Sequence, residues 1–479
     1  MDKRESTRRS LLAGVTTATA ASVAGCTGLF SDDPGDGDDP SPGENNESTG
    51  DDGEPETPEA LVTAMVGDLS AGEYERAAER FSSEIASQDR LVAQLERLWM
   101  GLTAAGNEYV EIAETETTTV QGRSAVVATL AFAEADADLQ VTHTDDPQLL
   151  GAVVVGEYAS PSYVDANSFE ERTVELDVED CLIEGTLTLP DADERSSSSP
   201  DSQARQDADG EVPGVVLVHG SGPVDRNESR RGSPNKPFKD IAEGLASNGV
   251  AALRFDKRTY ACNVAPAEAT FDRIVVSDTL AAVDRIRQAE PVGPVAAVGH
   301  SLGGMAMPRI VERSDELAGG VALAAPARPL PDVFVEQYEY LANLGDHSLD
   351  VAQNQLQAAR NMAEQIRNGN YEDDEQLFQE SGAFWDSIAD YDQVATAADL
   401  SVPMQFLQGQ RDYQVSPEDD FGLWQSELSD DSDAAFESYE QLNHMFMPGY
   451  GTSVPAEYSV PNNVAESVVT DLADWLDGL

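Results

Sequence analysis

Lysine is almost missing from this 479-residue chain: only four of its 29 basic residues are Lys, at positions 3, 236, 239 and 257. Against those 29 stand 89 Asp and Glu, a formal net charge of -60. Such a surface repels phosphates, which argues against nucleic acid as a partner. Cysteine is also scarce. Cys26, Cys181 and Cys262 lie far apart with no CxxC pair, so zinc-ribbon, iron–sulfur and disulfide-scaffold architectures fail on count alone. Apolar residues still make up 40% of the chain. That is enough for a sizeable core and rules out wholesale disorder. The length corresponds to roughly three ordinary domains.

The charge speaks first of solvent. So many carboxylates repel one another in dilute salt, whereas at 1 M the screening length shrinks to about 3 Å. In this the composition resembles that of haloarchaeal proteins. The N-terminus reads as an address. Arg8-Arg9 precede an uncharged, mildly apolar run ending at Ser31, similar to a Tat export signal, which carries folded proteins. The run has too few large apolar residues for a permanent membrane span. Inside it, Val23-Ala24-Gly25-Cys26 resembles a lipobox. That implies cleavage, lipid on Cys26 and an exported protein held on the outer face of the membrane. Residues 1–30 are thus expected to be the signal. Residues 31–57, dominated by Asp, Glu, Gly, Pro, Asn and Ser, are expected to form a disordered acidic tether.

Residues 58–160 read as helices followed by strands. Leu61, Met65 and Leu69 recur every four residues, then Tyr74, Ala77, Ala78 and Phe81, then Leu91, Leu95, Leu98, Trp99 and Leu102. The period then switches to two at Val126, Ala128, Leu130 and Phe132. Helices packed on one face of an antiparallel sheet satisfy that order. It resembles the small NTF2-like domain (DUF3887) that precedes some hydrolases, which implies a role in oligomerisation or substrate delivery. Its lone His143 is expected at the surface. Residues 170–479 form the second unit. A hairpin at 174–190 is followed by a Ser- and Asp-rich stretch, 191–212, expected to be a disordered insertion. Short apolar strands then alternate with helices, which means a parallel sheet covered on both faces. The fold class is therefore α/β.

The chemistry is expected at strand ends. Gly299-His300-Ser301-Leu302-Gly303 lies between an apolar strand and a helix, where a G-x-S-x-G turn presents its serine in a strained elbow. A P-loop reading fails for want of its Lys and spacing. A serine nucleophile needs a base, and the base an orienting acid, in this fold class in the order Ser, acid, His. Of the two histidines after Ser301, His347 is expected in a helical segment. His444 lies in a loop before the last helix and is the better base. Asp412 leaves the end of the strand Met404–Gly409 and is the expected acid, with Glu418, Asp419 and Asp420 as alternatives. His219 and His300 are expected to hold loops. The oxyanion needs two backbone donors: the N–H of Leu302, after the nucleophile, and that of Ser221 in His219-Gly220-Ser221-Gly222. Nothing in the sequence calls for a metal or another cofactor.

The segments His219–Glu228, Asn235–Asp240, Arg254–Arg258, Gly299–Gly304, Gly409–Val415 and Asn443-His444 together resemble EstD-type α/β-hydrolase esterases. The resemblance spans about 300 residues and implies an α/β-hydrolase fold. It also implies carboxylic-ester hydrolysis with Ser301 as nucleophile, Asp412 as acid and His444 as base. Asn227 stands where that family often has Asp. Asp225, Arg226, Lys257 and Arg258 are expected chiefly to form ion pairs. A serine peptidase of the same fold is the competing reading, and a binding lipoprotein with a vestigial triad is a third. Residues 327–400 carry apolar stripes at helical spacing, including Phe334, Tyr338, Leu356 and Met362. They are expected to form a helical cap that favours short acyl groups.

Overall fold

The computed structural model describes residues 57–88, 90–145, 148–191, 211–347, 350–429 and 433–479. The expected signal, Cys26, all but the last residue of the tether, and residues 192–210 of the expected insertion lie outside them.

The chain's first helix, α1 (Pro58–Ser70), starts where the Thr57 hydroxyl accepts from the Ala60 N–H and Pro58 fills the first turn. Proline there forfeits only an N–H that has no helical partner. After α2 (Tyr74–Ala78) and α3 (Ser83–Ala86), the longer α4 (Leu91–Gly106) lays Leu91, Leu95, Leu98 and Leu102 into the core. That core is shared with an antiparallel sheet of β1 (Tyr109–Val120), β2 (Arg123–Phe132), β3 (Asp136–His143) and β4 (Leu149–Val155), in that order. Trp99 meets Tyr109 edge-on, with ring centroids 5.3 Å apart. His143 is not at the surface. It is only 9% exposed, because it continues the inward phase Ala137, Leu139, Val141 along β3.

The second sheet begins with the hairpin β5 (Phe169–Val178) and β6 (Cys181–Pro190). Then come β7 (Val212–Val218), α5 (Pro237–Ser247), β8 (Ala251–Phe255), α6 (Arg258–Ala261), α7 (Asp278–Ile286), β9 (Val292–His300), α8 (Leu302–Glu312) and β10 (Gly319–Leu323). There the chain leaves the sheet for α9 (Leu330–Ala342), α10 (Asp350–Arg367), the ribbon β11 (Gln376–Leu377) and β12 (Glu380–Ser381), α11 (Gly382–Ile388) and α12 (Gln393–Ala398). It returns as β13 (Met404–Gly409), α13 (Gly422–Glu427), β14 (Ala434–Tyr439) and α14 (Glu466–Asp477).

The strand order is β14-β13-β10-β9-β7-β8-β6-β5. Every pairing is parallel except β5 with β6 and β6 with β8. Alternate residues of β7 feed opposite layers: Val216 and Val218 join one core, Val215 and Leu217 the other. Burial on both faces explains why these strands read as unbroken apolar runs. Cys181, at the start of β6, is disulfide-bonded to Cys262 just beyond α6, with Cα atoms 6.2 Å apart. The cysteine count excluded a scaffold but did not foresee this bridge, whose 81-residue separation carries no spacing motif.

Candidate active site

Ser301 sits between β9 and α8 with φ 54° and ψ -115°. A non-glycine residue holds that left-handed conformation only when its surroundings over-determine it. Here they do. The Ser301 N–H donates to the carbonyl of Leu323 at 2.8 Å. A Cβ on Gly299 would overlap the Gly303 carbonyl, and one on Gly303 would overlap that of Val218. Both glycines are thus needed for the helix to start so close to the strand.

Asp412 follows β13 and His444 follows β14, and the fold brings them together. His444 Nδ1 donates to Asp412 Oδ2 at 2.7 Å, and both side chains are buried. The same Asp412 oxygen accepts from Gln408 Nε2 at 3.0 Å. Its other oxygen accepts from the N–H groups of Gln414 at 2.7 Å and Val415 at 3.0 Å. A carboxylate so supplied with donors orients an imidazole without leaving its place. Burial pushes the His444 pKa below its ordinary 6.5, against the charge of Asp412, and the neighbouring His300 and Arg230 push the same way. The ring therefore rests neutral, as a base must. Among the described residues Ser301 Oγ makes no hydrogen bond, so its link to His444 is one of placement. His300, the residue before it, reaches the His444 carbonyl through Nε2 at 2.9 Å, with ring centroids 4.6 Å apart. Catalytic bonds of this kind commonly tighten only around substrate.

Sequence reasoning assigned no role to Glu228. It is buried, and its Oε1 accepts from the N–H of Gly220 at 2.8 Å and faces His300 Nδ1 at 2.9 Å. His300 Nε2 meets a carbonyl, which only accepts, so that nitrogen donates. The carboxyl of Glu228 is held down to about 2: burial raises it, but the charge and hydrogen bond of His300 and the Gly220 N–H outweigh this. Glu228 and His300 thus tie the turn after β7, the end of β9 and the loop after β14 together. A Cβ on Gly220 would stand 3.3 Å from the Ser301 Cβ, so that loop's backbone runs against Ser301. Neither the Ser221 N–H nor the Leu302 N–H donates to another described residue.

The other candidates fall elsewhere. His347 is in the bend between α9 and α10, not in a helix: α9 stops at Ala342, capped by Asn343, and the chain then turns through Gly345 (φ 78°). Its Nδ1 and Nε2 lie 3.1 Å from Glu96 and Glu75 respectively. Asp420 fastens the root of the α9 segment by accepting from the N–H groups of Ala327 and Arg328. Asp419 and Glu418 are exposed. His219 is buried against Phe238 and Phe255, and burial drives its pKa to about 4. Arg226 pairs with Asp256, and Arg258 with Asp278. From the inserted segment, Tyr391 donates to the Met305 carbonyl on α8 at 2.9 Å. A cavity of about 1010 Å³ lies beside His347, lined by Glu96, Met100, Tyr340 and Asp346 among others, and none of Ser301, Asp412 and His444 lines it.

An eight-stranded, mainly parallel sheet with a serine elbow at its centre and a carboxylate–imidazole pair at neighbouring strand ends defines an α/β-hydrolase. Residues 229–448 match the family described as serine aminopeptidase, S33. Esterase EstD of Thermotoga maritima is 33% identical over 416 residues, which is 86% of this chain and 93% of that protein. The chain belongs to the EstD esterase family. Among solved structures, the Pyrococcus furiosus esterase Pf2001 aligns at 17% identity, with TM-score 0.39, over 61% of this chain and 88% of that one. Est1E of Butyrivibrio proteoclasticus aligns at 15% identity, with TM-score 0.41, over 64% and 99%.

Proposed function

We propose that the chain hydrolyses short-acyl carboxylic esters through an acyl-enzyme on Ser301. The observation that carries this is the buried Asp412–His444 bond, with the His444 carbonyl fastened to the residue before the elbow serine. His444 Nε2 takes the Ser301 proton as Oγ attacks the ester carbonyl. The oxyanion accepts from the N–H groups of Ser221 and Leu302. Collapse expels the alcohol, which leaves with the proton from His444. Water then repeats the sequence on the acyl-enzyme and releases the carboxylic acid. Asp412 stays ionised throughout and fixes the imidazole. Kinship with esterase EstD supports ester rather than amide substrates.

The rest of the molecule is read as an exported lipoprotein. The Arg8-Arg9 signal and the Cys26 box give its address. The Cys181–Cys262 disulfide supports a destination outside the reducing cytoplasm. No described helix is long and apolar enough to cross a membrane. This reading assigns the anchoring to lipid on Cys26. The helices and antiparallel sheet of 58–155 are read as NTF2-like, serving oligomerisation or substrate delivery. Residues 327–400 are read as a cap, and the acidic surface as haloarchaeal. The test is kcat/KM along a p-nitrophenyl ester series beside aminoacyl anilides, in multimolar salt. Turnover is expected to peak at acyl chains of about two to six carbons, because longer tails must displace packed aromatic side chains. A steady rise through ten carbons contradicts the closed acyl pocket, and faster anilide cleavage makes the enzyme a peptidase.

A further inference from the structure

Of the chain's four lysines, Lys257 is only 2% exposed. Burying an ammonium is costly, and proteins ordinarily offset the cost with a carboxylate in contact. Lys257 forms no salt bridge among the described residues. Its Nζ instead donates to the carbonyl of Gly220 at 2.8 Å. Glu228, Glu380 and Asp278 are near enough for their charges to hold its pKa up while burial draws it down. This lysine is spent on a backbone oxygen of the oxyanion loop.

That oxygen has a particular partner. The Gly220 carbonyl and the Ser221 N–H belong to one peptide unit. The unit is planar and trans, since the sole cis bond among the described residues is Glu290–Pro291. In a trans peptide the carbonyl and the N–H point in opposite directions. Drawing the carbonyl toward Lys257 therefore aims the Ser221 N–H away from it. On the other side of the Gly220 Cα, the N–H of the preceding peptide unit donates to Glu228, so the two units that flank Gly220 are each held by a buried side chain. A cation on the carbonyl oxygen also pulls electron density out of the amide, which makes its N–H a stronger donor.

We propose that Lys257 is a positioning residue for the oxyanion hole, orienting and polarising the Gly220–Ser221 peptide so that the Ser221 N–H meets the reacting oxygen. This rests on the acyl-transfer reading above. Lys257 never touches substrate. Its contribution appears only when negative charge develops on the carbonyl oxygen, so it raises kcat and leaves ground-state binding alone.

The test compares wild-type protein with Lys257→Met, which removes donor and charge, and Lys257→Gln, which keeps a donor without charge. Three quantities are measured in high salt: kcat and KM for p-nitrophenyl acetate, and Ki for a trifluoromethyl ketone, whose adduct with Ser301 carries the oxyanion. For Lys257→Met, kcat is expected to fall about 10- to 100-fold, less than the 100- to 1000-fold typical of deleting a donor outright. Ki is expected to rise by the same factor and KM to stay within about twofold, as an effect confined to the transition state requires. Lys257→Gln falls between Met and wild type, and it decides alone if Met does not fold. Unchanged kcat and Ki, or a fall in kcat without a rise in Ki, overturns the proposal. Fluorophosphonate labelling of wild-type protein separates the two readings. A label missing from Ser301 defeats the acyl-transfer reading itself, whereas normal labelling with unaltered Lys257 variants defeats only this inference.

Discussion

Residues 58–155 and residues 169–479 each pack helices on a sheet, but they bury charge differently. In the first unit the buried charged side chains are Asp68 and Glu96, and each fastens a piece of backbone or helix rather than joining a cluster: Asp68 acts locally, Glu96 on the bend between α9 and α10. Asp68 accepts from Arg76 at 2.6 Å and from Arg80 at 2.5 Å. Glu96 accepts from the backbone N–H groups of Asp346 and His347. In the second unit Glu228, Lys257, His300, Asp412 and His444 are all buried, and all converge on the turns after β7, β9, β13 and β14. Desolvating a charge is expensive wherever it happens. Where several such groups meet at one end of a sheet, their worth is better sought in chemistry than in stability. The first unit shows what the fold needs from buried charge, and this end of the second unit's sheet shows what the reaction needs.

Removing a charge from each unit sharpens that contrast. The largest effect belongs to Asp412→Asn, which lets the His444 ring adopt the wrong tautomer. A loss of about 10⁴-fold in kcat is expected, with near-normal thermal unfolding, as for the same change in a well-studied triad. Glu228→Gln comes next. It loosens Gly220 and takes the carboxylate away from His300 Nδ1, so kcat should drop about 10- to 100-fold through the oxyanion loop. A Glu228→Gln enzyme with wild-type kcat would reduce that pair to scaffolding.

A pH profile probes the same group of charges. Burial holds the His444 pKa below 6.5, and the neutral ring is the active form. Activity should therefore persist as pH falls through 6.5 and be lost only at the lower, depressed pKa. An acid limb in kcat/KM above 6.5 would contradict the burial argument. The smallest effect on activity is expected from Asp68→Asn. It strands the guanidinium groups of Arg76 and Arg80 and should cost about 1–3 kcal/mol of stability, read as a lower Tm, with kcat unchanged. A large loss of activity there would mean that the first unit takes part in the chemistry.

What the sequence made legible follows from range. The β9–α8 turn could be read because Gly299, Ser301 and Gly303 lie within five residues and follow an apolar strand. Asp412 and His444 could be picked because each sits beside a recognisable strand or helix boundary. The contacts that span the chain could not. Glu228 reaches His300 across 72 residues, and His300 reaches His444 across 144. In a chain with 89 carboxylates nothing local marks Glu228 out. The Cys181–Cys262 bridge was hidden for the same reason. His143 is a different case: its inward phase was present in the alternation along β3, but a lone polar residue in a strand is ordinarily assigned to the outer face.

The central claim is that Ser301 is a nucleophile activated by the His444–Asp412 pair. Intact-mass analysis after brief exposure to a fluorophosphonate, in multimolar salt, tests it most directly. Wild-type protein should gain one adduct mapping to Ser301. Ser301→Ala should gain none, and Asp412→Asn should label orders of magnitude more slowly. An adduct that forms at the wild-type rate in Ser301→Ala, or maps to another residue, would contradict the account.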